Sequence, residues 1–104
     1  MVRQKVRPED PLIPQLADTF SLLGDPTRLR IVVICLNDLI SVSDIADNLG
    51  LSQPLVSHHL RLLKAARMVR AERSGKNVRY IAADSHVQCV IEDLVAHFSE
   101  PHPH

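Results

Sequence analysis

Residues 41–66, which read SVSDIADNLGLSQPLVSHHLRLLKAA, decide the fold of this chain. Ser41 and Ser52 each precede a helical apolar pattern, and Gly50 stands between the two patterns. Serine is a favoured N-cap because its hydroxyl accepts from a free backbone N–H of the first turn, and glycine commonly follows the last residue of a helix. Two helices joined by a turn of about four residues predict a helix-turn-helix.

On the C-terminal side the apolar period changes from helical to alternating. Across residues 68–83, apolar residues alternate with charged ones, and Ser-Gly-Lys at 74–76 interrupts the run. This pattern predicts a β-hairpin, the wing of a winged helix. Asp84 then caps a last helix that extends to about Ser99.

On the N-terminal side the pattern predicts two more helices. Residues 10–23 form the first, which Gly24 ends, and Asp25 caps a second that starts at Pro26 and runs to about Asn37. We expect residues 1–9 to be a flexible arm. The fold class is therefore mostly α with a β-hairpin wing, a winged helix-turn-helix, in a single domain over residues 1–104.

The charge is neutral overall but unevenly distributed. The 12 basic residues balance the 12 acidic ones, yet residues 52–80 hold seven Lys and Arg against one Glu. Residues 81–104 hold no Lys or Arg, four carboxylates and four histidines. A basic module predicts contact with nucleic acid, and the acidic, His-bearing end predicts a different ligand.

Membrane and secretion signals are missing from the sequence. No apolar run reaches the length of about 18 residues that a membrane span needs, and no signal peptide is visible. Cys35 and Cys89 lie inside apolar helical patterns, and we expect both to be buried small hydrophobes. A cytoplasmic location and no membrane partner are predicted.

The N-terminal part of the second helix in the helix-turn-helix carries short, uncharged polar side chains, which suit base edges in the major groove. Gln53 can pair bidentately with adenine. His59 is expected to face inward, and Leu55 to hold the helix to the core. The predicted DNA-binding residues are Ser52, Gln53, Pro54, Ser57, His58, Arg61 and Lys64 of this helix and Arg73, Lys76 and Arg79 of the wing. The alternative is a solvated helix and hairpin with a surplus of cations.

Three segments together resemble the ArsR/SmtB family of metal-sensing transcriptional repressors. They are residues 22–31 (LLGDPTRLRI), residues 51–63 (LSQPLVSHHLRLL) and residues 73–80 (RSGKNVRY). The resemblance implies a winged-helix homodimer whose first and last helices pair with the partner. It also implies a repressor of operator DNA, released by a metal or another signal. We expect no small-molecule substrate.

The last helix carries a candidate metal site: Asp84, His86, His97 and Glu100. His86 and His97 are 11 residues apart, which returns the side chain to within about 20° at a separation of about 16 Å. Because zinc ligands lie about 2 Å from the metal, one helix cannot close the site. Antiparallel pairing with a second copy would bring Asp84 and His86 of one chain to His97 and Glu100 of the other.

Two His and two carboxylates suit zinc, and the pattern resembles the last-helix zinc site of this family. The structural alternative is an ordinary N-cap with a solvated histidine and glutamate near the helix end. We expect five apolar residues to carry the helix pairing: Val87, Val90, Ile91, Leu94 and Val95.

Other functions remain as alternatives. His102 and His104 could complete a six-ligand site, which would favour nickel or cobalt, and a repressor of this fold that senses no metal is also open. Ser41 and Ser43 stand where the family's other metal site has thiols, which argues against soft-metal sensing there. A four-ligand site lacks the open position that a zinc enzyme needs, so we expect no enzyme activity.

Overall fold

The computed structural model describes residues 5–101, and in that range it contains five helices and one three-stranded antiparallel sheet. The mostly α fold with a hairpin wing is as predicted. The elements follow one another as α1 (Ile13–Leu23), α2 (Pro26–Ile34), β1 (Ile40–Ser41), α3 (Val42–Leu49), α4 (Gln53–Ala65), β2 (Val69–Ser74), β3 (Asn77–Ala82) and α5 (Ser85–Ser99).

Three of the four predicted N-caps are confirmed. The hydroxyl of Ser41 accepts from the backbone N–H of Asp44 at 3.2 Å, and that of Ser52 accepts from Leu55 at 3.3 Å. The Asp84 carboxylate accepts from the N–H of Val87 at 3.1 Å. These side chains satisfy donors that a helix start leaves free, which fixes where α3, α4 and α5 begin.

Asp25 is the exception among the predicted caps. It occupies the N-cap position of α2, but its side chain makes no capping hydrogen bond. Its carboxylate lies 3.9 Å from the guanidinium of Arg28, one turn further along, so it pairs with a cation rather than with the backbone. Helix α2 also ends at Ile34, earlier than the predicted end at about Asn37. The carbonyl of Cys35 accepts a hydrogen bond from the N–H of Ala82 in β3 rather than from a further turn of the helix.

The sheet has the strand order β1-β3-β2. Strands β2 and β3 pair from Val69 opposite Ala82 to Ser74 opposite Asn77, which confirms the predicted hairpin. Strand β1 was not predicted. It pairs Ile40 with Tyr80 along the other edge of β3, and its two residues are too few to show an alternating pattern.

The hydrophobic core lies between α2, α3 and α4 and is closed by β2, β3 and one side of α5. Seven side chains in this core are fully buried: Ile31, Val32, Cys35, Ile45, Val56, Leu60 and Leu63. Burial of Cys35 confirms the prediction for that residue and raises the pKa of its thiol to about 12.

Helix α5 corrects two predictions. Cys89 is exposed rather than buried, because it lies about 200° around the helix from Val87, which faces the core. Val87 and Ile91 are buried within their own chain, so they are not free to pair with a partner helix. The exposed apolar residues of α5 are Val90, Leu94, Val95 and Phe98.

None of the helices in residues 5–101 combines the length and the apolar character that crossing a membrane requires.

Candidate DNA-binding surface and metal-binding helix

The N-terminal part of α4 presents a polar face to solvent, which we call the reading face. Ser52, Gln53, Pro54 and His58 are exposed and Ser57 is half-buried, while Val56 and Leu60 on the opposite side are fully buried. Leu55, expected in the core, is 41% exposed and lies beside the reading face. The geometry leaves short hydrogen-bonding groups accessible at the start of a helix, as readout of bases in a major groove requires.

Cations flank the reading face in two places. Arg61 and Lys64 are exposed further along α4, and Arg73, Lys76 and Arg79 are exposed on the hairpin of β2 and β3, the wing. Such cations can neutralise phosphates, which supplies most of the affinity of proteins for DNA.

The acidic residue of the wing, Glu72, lies away from the tip of the hairpin. Glu72 forms an ion pair with Arg70 and lies opposite Arg79 in the strand register. At the tip, neither Arg73 nor Lys76 forms an ion pair with any residue in 5–101. The tip therefore has the least compensated positive charge of the wing.

The inward orientation of His59 is confirmed. It is 8% exposed and lies on α4 directly behind the reading face. Its Nδ1 accepts from Nε of Arg28 at 3.2 Å. Burial lowers the pKa of His59 below its usual 6.5, and the nearby Arg28 lowers it further. The imidazole is therefore neutral at pH 7 and can serve as the acceptor.

The predicted metal ligands lie at the two ends of α5. Asp84 and His86 are neighbours at its start, with the Asp84 Oδ1 3.6 Å from the His86 Nδ1, and both are exposed. His97 and Glu100 are exposed at its other end, about 16 Å away by the helical rise. Within residues 5–101, no group of three or more His, Cys, Asp or Glu side chains converges. A single chain thus holds two separate donor pairs.

The start of α5 opens into a groove of about 770 Å³. Asp84 and His86 share this groove with Gln15, Leu16 and Thr19 of α1 and with the segment of residues 66–71 that links α4 to the wing. The donor pair is therefore accessible to a second molecule. His97, at the other end, lies edge-on to the ring of Phe98, with the ring centroids 5.0 Å apart.

Two other sets of residues bear on metal binding: Ser41 with Ser43, and His102 with His104. The hydroxyls of Ser41 and Ser43 lie 3.2 Å apart, and that of Ser41 also accepts from the backbone at the start of α3. His102 and His104, the extra ligands of the nickel or cobalt alternative, lie outside the described residues.

The hydrogen bond between Arg28 and His59 was not predicted from the sequence, in which Arg28 stood out only as part of a segment that resembles the family. The signal was available in part: a histidine expected to be buried on α4 needs a hydrogen-bond partner. The sequence could not say which of the charged residues supplies it, because Arg28 and His59 are 31 residues apart.

Comparison with known proteins agrees with this architecture. The sequence profile described as "Bacterial regulatory protein, arsR family" matches residues 25–71, which cover α2 to the start of the wing. The solved homodimeric winged helix-turn-helix DNA-binding domain of a possible ArsR-family regulator from Mycobacterium bovis superposes with a TM-score of 0.78 at 24% identity. That alignment covers 99% of this chain and 98% of the other.

Two relatives are similar over most of this chain. The transcriptional repressor SmtB homolog of Synechocystis sp. is 38% identical, over 83% of this chain and 65% of its own length. The HTH-type transcriptional repressor SmtB of Mycobacterium tuberculosis is 38% identical over 89% of this chain and 69% of its own length. The chain thus spans about two thirds of the length of these relatives. With the winged helix-turn-helix fold, this similarity shows that the chain belongs to the arsR family of bacterial regulatory proteins, whose members are DNA-binding transcriptional regulators and not enzymes.

Proposed function

We propose that this protein is a transcriptional repressor that binds operator DNA as a homodimer and is released by zinc. The zinc site would lie between the last helices of the two subunits. The observation that carries the proposal is the exposure of two donor pairs at opposite ends of α5, beside an apolar face that no other part of residues 5–101 covers. The names of the two relatives, both repressors, support the regulatory part.

The DNA-binding part of the proposal rests on α4 and the wing. We assign base contacts to the reading face (Ser52, Gln53, Pro54, Ser57 and His58) and phosphate contacts to five cations: Arg61, Lys64, Arg73, Lys76 and Arg79. All these residues except Ser57 are exposed. Polar groups for readout and cations for backbone contact divide the work as in other proteins that bind double-stranded DNA.

A second copy of the chain is the proposed cover for the apolar face of α1 and α5, which we call the seam face. Its residues are Leu12, Leu16, Phe20, Val90, Leu94, Val95 and Phe98, each at least 44% exposed. A groove of about 520 Å³ lies in this face and is bounded by Phe20, Val33, Leu94 and Phe98. An apolar patch of this extent on a regulator marks an interaction surface.

The same pairing would complete the metal site. Antiparallel α5 helices place the Asp84 and His86 of one chain near the His97 and Glu100 of the other, and a two-fold axis forms the site twice. Two imidazoles and two carboxylates fit zinc, which is usually bound by four such donors in a tetrahedron. Zinc bound there would cross-link the two α5 helices.

The release mechanism follows from the spacing of the two α4 helices. Both can enter successive major grooves only when they are separated by about 34–36 Å, one turn of DNA. Four side chains fixed to each other across the seam would restrict the relative orientation of the subunits. We infer that the restricted orientation disfavours this spacing, so that zinc and operator DNA weaken each other's binding by the same factor.

The test compares operator affinity with saturating zinc and with a chelator. The probe is a DNA duplex that the protein itself selects from a random pool, followed by fluorescence anisotropy. We expect zinc to lower the affinity of the wild-type protein by about 5–150-fold, the usual range of coupling between two sites. His97→Ala should abolish the zinc effect and retain DNA binding. Glu92→Gln, which alters another exposed carboxylate of α5, should respond to zinc like the wild type. Equal operator affinity with and without zinc would contradict the proposed release.

A further inference from the structure

Arg28 joins three helices through one guanidinium group. From α2, its Nε donates to the Nδ1 of His59 on α4 at 3.2 Å. One terminal nitrogen donates to the backbone carbonyl of Leu22 in the last turn of α1 at 3.1 Å. The other lies 3.9 Å from the carboxylate of Asp25. The side chain of Arg28 is only 19% exposed, so these contacts are partly shielded from water.

His59 is the only buried polar or charged residue in the part of the chain that the structure describes. A buried imidazole that accepts at Nδ1 must be neutral there, since protonation puts a hydrogen on that nitrogen. The charged groups that face it are the Arg28 guanidinium of α2 and the carboxylate of Asp25 at the N-cap of that helix. The titratable ring of His58 on α4 is also near, with its centroid 5.8 Å from that of His59. Arg28 is the partner that satisfies the buried nitrogen.

We propose that Arg28 is a positioning residue for DNA binding, which holds α4 in a fixed relation to the end of α1 by its hydrogen bonds to His59 and to Leu22. The inference rests on the proposed function in two respects, that α4 reads DNA and that α1 contributes to the seam face. Neither Arg28 nor His59 belongs to the reading face or contacts the metal ligands.

The connection matters because α1 and α4 have different partners. The seam face includes Leu16 and Phe20 of α1 and Leu12 at its N-cap, whereas α4 carries the reading face. The guanidinium is planar and donates in fixed directions, so it transmits orientation as well as attraction between the two helices.

The first test measures the affinity for the selected duplex and for a scrambled duplex of the same length. Arg28→Met keeps an unbranched side chain about as long as the aliphatic stem of arginine and removes all of its donors. We expect about tenfold weaker binding to the selected duplex, as for the loss of a hydrogen bond to a charged group. Binding to the scrambled duplex should stay within about twofold, because the surface cations that contact phosphate are unchanged. Arg30→Met, which removes an exposed cation two residues further along α2, is the matched control and should preserve the preference.

A second pair of variants examines the acceptor. His59→Gln keeps an oxygen that can accept from Arg28 and should preserve the preference for the selected duplex, whereas His59→Leu should lose about tenfold. Arg28→Met combined with His59→Leu should lose no more than either single variant, since both break the same link. Additive losses, or equal losses for Gln and Leu, would overturn the proposal.

An NMR titration of His59 reports the contact without DNA. Removing Arg28 removes a cation and a donor to the neutral imidazole, so the pKa of His59 should be higher in Arg28→Met than in the wild type. An unchanged pKa would overturn the contact.

If the wild-type protein selects no duplex, the proposed function fails and the positioning role fails with it. If the wild type selects a duplex and Arg28→Met binds it equally well, only the role of Arg28 is wrong.

Discussion

The helix-turn-helix with its wing and the layer formed by α1 and α5 differ in how much of their structure one chain completes. In the first region, both helix starts are capped and the apolar sides of α3 and α4 are buried. In the second, α1 buries none of its residues and α5 buries only Val87 and Ile91. The donor pairs of α5 are also separated.

The difference shows which functions a single subunit can perform. A surface of short polar groups and cations can meet DNA as it stands, because DNA supplies the complementary charge and base edges. In the proposed dimer, the seam face and the two donor pairs need a second copy of the same chain before they are covered or close enough to share an ion. Sensing is therefore expected to depend on assembly in a way that the folding of the DNA-binding region does not.

The largest expected effect is on stability, and it should differ between a leucine of the core and a leucine of the seam face. Leu60 is fully buried and Leu94 is 44% exposed. Leu60→Ala should lower the free energy of unfolding by about 2–5 kcal/mol, because it leaves a cavity in a packed core. Leu94→Ala should weaken the dimer, so the shift that it causes in the urea midpoint should vary with protein concentration. At concentrations low enough for the protein to be monomeric, the shift should be small. Urea unfolding at several protein concentrations measures both. Equal losses that do not vary with concentration would place Leu94 in the core of its own chain.

The next effect concerns the donor pairs. Wild-type protein should bind one zinc per chain. His86→Ala or His97→Ala should lower zinc affinity by more than about 100-fold, because each removes a direct ligand and the loss of a mere hydrogen-bond partner of a ligand already costs about 10–100-fold. Both variants should remain dimers, because the apolar residues of the seam face are retained. Competition with a coloured chelator and sedimentation give the two readouts. His58→Ala, which removes an exposed histidine of α4, is the control and should bind zinc normally. Wild-type zinc affinity in both α5 variants would eliminate the site.

A smaller effect separates two kinds of contact within the DNA-binding region. Gln53→Ala should reduce the preference for the selected duplex by about 1–3 kcal/mol, since a bidentate contact to one base would be lost. Lys76→Ala should weaken binding to all sequences alike and lower the salt dependence by about one phosphate contact. Anisotropy titrations over a range of salt concentrations distinguish these outcomes. An unchanged preference in Gln53→Ala would contradict the base contact proposed for that residue.

The smallest effect is a pH dependence of stability that belongs to the DNA-binding region. Burial and Arg28 hold the pKa of His59 below its usual 6.5, so between the two values the unfolded chain binds more protons than the folded one. The contribution of His59 is therefore complete above pH 6.5 and declines as the pH falls below it. Urea midpoints between pH 7.5 and pH 5.5 should fall further for wild type than for His59→Gln, which does not titrate. Identical pH profiles would mean that His59 is not held neutral by its surroundings.

The sequence by itself determined the elements whose signals are local. Ser41, Ser52 and Asp84 cap their helices through a backbone N–H three residues away, and the alternation in residues 68–83 is that of a single hairpin. The spacing of His86 and His97 similarly requires that a site shared between them use two helices. Local chemistry sufficed because the interacting groups are neighbours in the chain.

Only the tertiary structure decided the features that join distant residues. Strand β1 exists because β3, about 40 residues further along the chain, offers a free edge for pairing. The carboxylate of Asp25 lies near the guanidinium of Arg28 instead of capping α2 as predicted. The orientation of α5 on the core selected Val87 and Ile91 for burial and left Cys89 outside, although all three lie in one apolar pattern. The link between Arg28 and His59 likewise depends on how α2 packs against α4. A periodic pattern defines a helical face, but the direction in which that face points is set by the surfaces against which the helix packs.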